Sequence, residues 1–238
     1  MKSTLDFEDS RPHWILTCVS NEPRPSDWNL MNIQARTLFR FNRAGQITSV
    51  NEPKLRSGPR IFVGHSGGRR LVRTRQDIAE MDVRAWLACT DDAVLRSAVE
   101  HHAPVVAEHR GPAFVLPRIE HPGDAIAIGS RTAFHPELIA RGWFMEETGP
   151  YVGIECDGMV VAVCHSSRLS DEAAEAGVET VAEYRGRGFA LAAVRAWANA
   201  VQDSGRVALY STEWTNDASR RVASKLGAHE FGEDWHLT

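Results

Sequence analysis

Two arginines alternate with two glycines in Arg185-Gly186-Arg187-Gly188, and Phe189-Ala190 then open an apolar repeat, Leu191, Val194, Ala198 and Val201, spaced by three and four. The repeat predicts an amphipathic helix starting near Phe189 and stopping at Gly205, and residues 178–181 predict a strand ahead of the loop. A strand-to-helix turn of this kind presents backbone N–H groups without intrahelical acceptors at the positive end of a helix dipole, and such a cradle binds phosphate oxygens. Glycine at 186 and 188 lets the backbone come close to a ligand that a Cβ would crowd. The loop is not a Walker A sequence, because no Gly-Lys-Ser/Thr follows, and Gly-x-Gly-x-x-Gly is absent.

Three carboxylates lie near this loop in sequence, Glu175, Glu179 and Glu213, and a carboxylate is a candidate to take the proton that an alkylamine carries at neutral pH. In a regular strand Glu175 and Glu179 share one face, and Ala174, Ala176, Val178 and Thr180 share the other. Downstream, Asn216 is placed to cap a last helix with apolar residues Ala218, Val222, Ala223 and Leu226, closed by Gly227. Ser219 falls one turn into that helix.

Taken in order, these segments resemble the GNAT superfamily of acyl-CoA-dependent N-acetyltransferases. Residues 185–190 match its Arg/Gln-x-x-Gly-x-Gly/Ala acyl-CoA loop, and the 210–219 segment followed by Lys225-Leu226-Gly227 resembles its second motif, an asparagine opening a helix that ends in Lys-Leu-Gly. The resemblance implies an enzyme that moves an acetyl or other short acyl group from acetyl-CoA (coenzyme A) to an amine on a small molecule or peptide. It implies that Arg185, Gly186, Arg187, Gly188, Phe189 and Ala190 hold the pyrophosphate. Val178, Thr180 and Val181 would border the pantetheine arm, with Thr180 and Val181 as candidate amide donors to the developing oxyanion. Asn216 and Ser219 would contact the arm, and Glu175, Glu179, Glu213 and Ser219 are the candidate catalytic groups. The chain departs from the family in two places: Ala223 stands where many members have a tyrosine that protonates the departing thiolate, and alanines line the Thr180 face of the strand. Ser219 or Tyr210 is the available replacement. An acyl-CoA-binding sensor without catalysis is the alternative reading.

The elements that must position these groups predict a mixed α/β (α+β) fold: a GNAT-type mixed sheet flanked by helices over residues 91–238, behind a β-rich extension of unknown role over residues 1–90. The extension reads as strands at 36–42 and 46–50 around Ala44-Gly45, a strand pair at 60–64 and 70–73, and a helix over 77–88 capped by Asp77. Beyond an Asp-capped helix near residue 92 come a strand at 113–116 and a helix over 136–144. A hairpin at 151–155 and 159–164 follows, turning on Asp157-Gly158, and then a strand at 207–211.

A net charge of −4 provides no field for a polyanion, so no nucleic-acid partner is expected, and Arg69, Arg70, Arg73 and Arg75 read as a solvated strand face. Cys18, Cys89, Cys156 and Cys164 form no Cys-x-x-Cys pair, His101 and His102 are adjacent rather than four apart, and neither His-Glu-x-x-His nor Gly-x-Ser-x-Gly occurs. No metal site is expected. Residues 1–9 lack an apolar leader and no segment has the length of a membrane span, so a cytoplasmic protein without membrane contact is expected, with a homodimer as an allowed assembly.

Overall fold

A computed structural model describes residues 24–52, 54, 56–119, 125–128, 132–143 and 149–238. Cys18, the N-terminal leader reading and residue 144 lie outside the described residues; the helix expected at 136–144 is shorter and ends at Ala140, where Arg141 caps it.

The chain opens with α1 (Asp27–Leu38), which Ser26 caps by accepting the Asn29 amide at 3.3 Å. This helix corrects the strand expected from residue 36. Leu30, Met31, Ile33, Gln34 and Leu38 form one buried face, which carries the helical period to Leu38 and leaves only β1 (Phe39–Phe41) extended. β2 (Ile47–Val50) returns antiparallel after a turn in which the Asn42 side chain accepts the Ala44 and Gln46 amides. β3 (Ile61–Ser66) and β4 (Arg69–Thr74) pair as expected. α2 (Glu80–Ala88) begins three residues later than expected, because the Asp77 carboxylate binds Arg75 at 2.6 Å instead of capping a helix. α3 (Asp92–His102) has Asp91 as its cap.

The second half contains β5 (Glu108–Val115), β6 (Ile126–Ala127), α4 (Pro136–Ala140), β7 (Tyr151–Cys156), β8 (Met159–Leu169) and β9 (Ala173–Thr180). α5 (Phe189–Asp203), β10 (Val207–Ser211), α6 (Asp217–Lys225) and β11 (His229–Leu237) complete it. β5 is longer than expected, and β11 was not anticipated, since Gly232 and its acidic neighbours interrupt any alternation.

Nine of these strands form one mixed sheet in the order β4-β3-β11-β5-β10-β9-β8-β7-β6. β3 and β4, which precede residue 90, join it through the pairing of β3 with β11. At its centre β9 and β10 run parallel, connected by α5, the crossover helix that a parallel pair requires. Their register ends at Leu209 opposite Glu175, whereas β9 continues to Thr180. α5 buries Val194, Trp197 and Val201 on one face of the sheet, and α1 covers the other with Leu30, Met31 and Leu38. Among the described residues no helix is long and apolar enough to cross a membrane.

Close approach on the α1 face depends on glycine. A Cβ on Gly64 would lie 2.2 Å from the Met31 sulfur, and one on Gly111 would lie 1.7 Å from the Thr212 carbonyl oxygen. The first neighbour is a flexible side chain; the second is the backbone leaving β10 toward Asn216. Gly111→Ala should therefore cost more than the ~1–3 kcal/mol typical of overpacking, and Gly64→Ala less. Thermal melts of both variants check the order, and Met31→Ala should recover part of the Gly64→Ala loss alone. A Gly111→Ala protein as stable as wild type would contradict the packing described.

Candidate active site

Where β9 and β10 part, a cavity of about 490 Å³ opens between β9, the loop after it and α6. Val178, Glu179 and Thr180 supply one wall; Arg185, Gly186 and Gly188 the loop; Phe189 and Ala190 the first turn of α5; Asn216 and Ser219 the α6 side. Most of the residues expected at a cofactor site thus surround one space. Arg187 and Val181 do not line it. The Arg187 guanidinium stacks 5.0 Å from the Tyr184 ring, and Val181 is fully buried.

Gly186 and Gly188 have φ of +78° and +87°, the left-handed region in which a side chain is strained. Gly188 is the N-cap of α5 and has no side chain to satisfy the helix, whose first i→i−4 bond runs from the Ala192 amide to the Gly188 carbonyl at 3.0 Å. The Phe189, Ala190 and Leu191 amides are left without intrahelical acceptors beside the cavity. Arg185 braces this loop from within: its Nε donates to the Thr180 carbonyl and its terminal nitrogen to Glu179, both at 3.1 Å.

Across the cavity the Asn216 Oδ1 accepts the Ser219 amide at 3.1 Å, so the cap uses its oxygen and leaves its NH₂ able to donate. Arg221 and Lys225, four residues apart on α6, also line the cavity. Helical spacing puts them on one face, a signal present in the sequence but not used above.

A family model described as GNAT acetyltransferase matches residues 144–236. No curated protein matches the chain. Among solved structures, the chain is similar to a GCN5-related N-acetyltransferase from Kribbella flavida, with 17% identity, 88% of this chain and 93% of that one covered, and a TM-score of 0.49. For a GCN5-related N-acetyltransferase-like protein from Streptococcus suis the figures are 15%, 90%, 100% and 0.48. A GNAT-family protein from Novosphingobium aromaticivorans is 23% identical over 56% of this chain and 65% of its own length, with a TM-score of 0.47.

Within the matched segment the amides expected to serve an oxyanion are both engaged. Val181 donates to the Val161 carbonyl at 2.9 Å, as sheet pairing requires, and Thr180 donates to the Glu179 carboxylate at 3.0 Å. Alternation along β9 turns the Val178 amide to the same open edge as Thr180.

The candidate carboxylates have separate surroundings. Glu213 is exposed, accepting only a long 3.4 Å bond from Thr215. Glu179 is ion-paired to Arg141 at 2.9 Å and Arg185 at 3.1 Å. Glu175 is 4% exposed and stands at the last paired position of the fork, on the α1 face, with the Ser211 hydroxyl donating to it at 2.8 Å. Burial pushes its carboxyl up to about 7, a rise that the Ser211 bond restrains and the Asp234 charge supports.

Sequence reasoning missed the company Glu175 keeps. β11 and β5 bring His236 opposite His109, with rings stacked at 4.9 Å, and put the His109 Nε2 3.4 Å from Asp234, which is 1% exposed. Burial lowers the His236 imidazole to about 4. Burial also opposes the His109 cation, but Asp234 and the neighbouring glutamates outweigh it and its pKa is raised. No motif announces this group, whose members lie on strands distant in sequence.

His65, Asp92 and Glu233 bring ligand atoms within 4.8 Å of one another. Arg110 bridges Asp92 and Glu233 at 2.8 and 2.7 Å and Arg70 lies 3.7 Å from Asp92, so two guanidinium groups face the two carboxylates in an ion-pair network.

Because the folded-state value of Glu175 lies above the ordinary 4.5, the stability this group contributes is fully present below pH 4.5 and is lost as pH rises through about 7, amounting to roughly 3 kcal/mol. His236 acts oppositely: its contribution is present above 6.5 and is lost as pH falls through about 4. The difference between Glu175→Gln and wild type isolates the first effect. Chemical denaturation should show the variant near wild type at about pH 5 and more stable at about pH 8. A difference that does not change with pH would remove Glu175 as a high-pKa group.

Proposed function

We propose that the chain is an N-acetyltransferase that transfers an acetyl or other short acyl group from acetyl-CoA to the amine of a small molecule or peptide. The observation that carries this reading is a cavity lined by the first turn of α5, the glycine loop and the basic face of α6, beside the place where β9 and β10 part. The unsatisfied amides of α5, with Arg221 and Lys225 opposite, fit the phosphates of coenzyme A, and the fork ends at Glu175. The Asn216 NH₂ and the Thr180 hydroxyl, which is buried without a partner, fit an amide-bearing arm.

When bound, the cofactor supplies an acyl group already activated as a thioester. The protein supplies the remaining chemistry. Glu175 is our candidate for the general base: it stands at the last paired position of the fork, on the α1 face with the Ser211 hydroxyl donating to it, and burial raises its carboxyl to about 7, a value suited to accepting a proton near neutrality. The Val178 amide is the backbone donor left for the developing oxyanion. Glu179 orders the loop instead of moving protons, because two guanidinium groups hold it. Ser219 and Glu213 are not needed as bases on this reading.

The test is thiol release from acetyl-CoA with a panel of primary amines, beside calorimetry with coenzyme A. Tight binding without thiol release would convert the reading to an acyl-CoA sensor; no binding would remove it. Asn216→Asp keeps the cap but cannot donate, so it should melt like wild type and bind coenzyme A about tenfold more weakly, equivalent to ~1.4 kcal/mol. Earlier melting with unchanged affinity would make Asn216 purely structural.

A further inference from the structure

β9 runs on to Thr180 after its pairing with β10 has ended. Val181 donates to Val161 on β8, so by alternation the Thr180 N–H and C=O both point the other way, to the edge that β10 has left. Both groups are occupied from within the chain. The Thr180 amide donates to Glu179 Oε1 at 3.0 Å, and the Thr180 carbonyl accepts from Arg185 Nε at 3.1 Å. The same two side chains bind each other, with a terminal nitrogen of Arg185 donating to Glu179 Oε1 at 3.1 Å. One carboxylate and one guanidinium thus do for Thr180 what the C=O and N–H of a neighbouring strand would do, and they do it in the wall of the cavity. The pair is easily opened. Arg185 is 56% exposed, so its ion pair contributes little to stability. Glu179 also has a second partner in place, since its Oε2 lies 2.9 Å from Arg141 at the end of α4. A carboxylate that releases Thr180 and Arg185 therefore keeps a counter-ion.

We propose that Glu179 is an autoinhibitory plug on the free edge of β9: its carboxylate competes for the Thr180 amide with the amide-bearing arm of an acyl-CoA ligand, and binding shifts it onto Arg141. This rests on the reading of the cavity as an acyl-CoA site. An arm that pairs with Thr180 must bring a carbonyl for its N–H and a donor for its C=O, as a strand does. Those places are taken until the Glu179–Arg185 pair opens. The exchange leaves no polar group stranded, because the arm replaces both bonds to Thr180 and Arg141 retains Glu179. Arg185 is then free beside Gly186, Gly188 and the first turn of α5, where a phosphate oxygen replaces the carboxylate it gave up. The plug also discriminates between ligands. A nucleotide end without the arm has nothing to offer Thr180 and leaves the pair closed.

Calorimetry with coenzyme A and with adenosine 3′,5′-bisphosphate, which has the nucleotide end without the arm, tests the competition without knowledge of the acceptor. Glu179→Ala should bind coenzyme A about tenfold more tightly than wild type and the bisphosphate as wild type does. Glu179→Gln keeps the volume and an acceptor oxygen but has no charge for Arg185, so it should gain in the same direction by a smaller factor; it also serves if the alanine variant does not fold. Hydrogen exchange of the Thr180 amide, followed by NMR, should be faster in unliganded Glu179→Ala than in wild type and equally slow in both once coenzyme A is bound. Unchanged or weaker binding of coenzyme A in the variants overturns the proposal and leaves Glu179 a brace alone. An equal gain with the bisphosphate overturns it too, since that reports only the loss of a negative charge near phosphates. Failure of wild type to bind coenzyme A defeats the cavity reading itself, a result distinct from binding that the variants do not alter.

Discussion

The parallel pairing of β9 with β10, which stops at Glu175 and Leu209, is the constraint on which the site depends. Parallel strands need a crossover, and α5 fills that role while its first turn forms the floor of the cleft. Had the strands stayed paired to Thr180, the Val178 and Thr180 amides would be used within the sheet and no cavity would exist. Separation frees that edge, exposes the amides of α5 and lets Tyr210 line the opening, while Glu175 stays buried at the branch point on the α1 face. The separation is kept open by covalent and steric means: the chain after Ser211 is drawn toward β5, where the Thr212 carbonyl rests on Gly111.

The α1 face carries the cost of this arrangement. Glu175 Oε2, His236 Nδ1 and both amide atoms of Gln34 are buried without hydrogen-bond partners among the described residues. Unsatisfied buried polar atoms are few in folded proteins and each weakens the fold. The apolar cluster beneath α1, with Leu30, Met31, Phe39 and Phe62 at its centre, supplies the offsetting burial, and the glycines at 64 and 232 let Met31 close on the sheet. Local preference and global fold disagree most where polar groups are buried beside the fork, which is where function is expected to override packing.

Legibility in the sequence followed the range of the interactions. The loop at 185–190, the helix behind it and the Asn216 cap were readable because each is fixed by contacts within a few residues: positive φ at two glycines, a three-and-four repeat, an i to i+3 capping bond. The hairpin at Asp157-Gly158 was readable for the same reason. α1 was not, since its buried face mixes Gln34 and Thr37 with its apolar residues and its end runs directly into a strand. β11 was not, because its burial comes from lying between β3 and β5 rather than from any alternation of its own. The surroundings of Glu175 were the least accessible, since His109, Asp234 and His236 meet only after β5 and β11 have paired across more than a hundred residues.

Glu175 and Glu179 show why spacing alone could not separate a buried carboxyl from an ion-paired brace. They lie four residues apart on one strand and, by alternation, on one face. Glu179 stands where β9 has left β10, within reach of Arg185 from the loop and Arg141 from the end of α4, and its charge is matched by both. It thereby fastens loop, strand and helix α4 together at the mouth of the cleft. Glu175 stands one turn of the pleat deeper, where the sheet is closed on both sides, one hydroxyl is its hydrogen-bond donor and a second buried carboxylate lies near. The same side chain is ion-paired to two guanidinium groups in the first position and buried with its pKa raised to about 7 in the second, and the difference is set by where the two strands part.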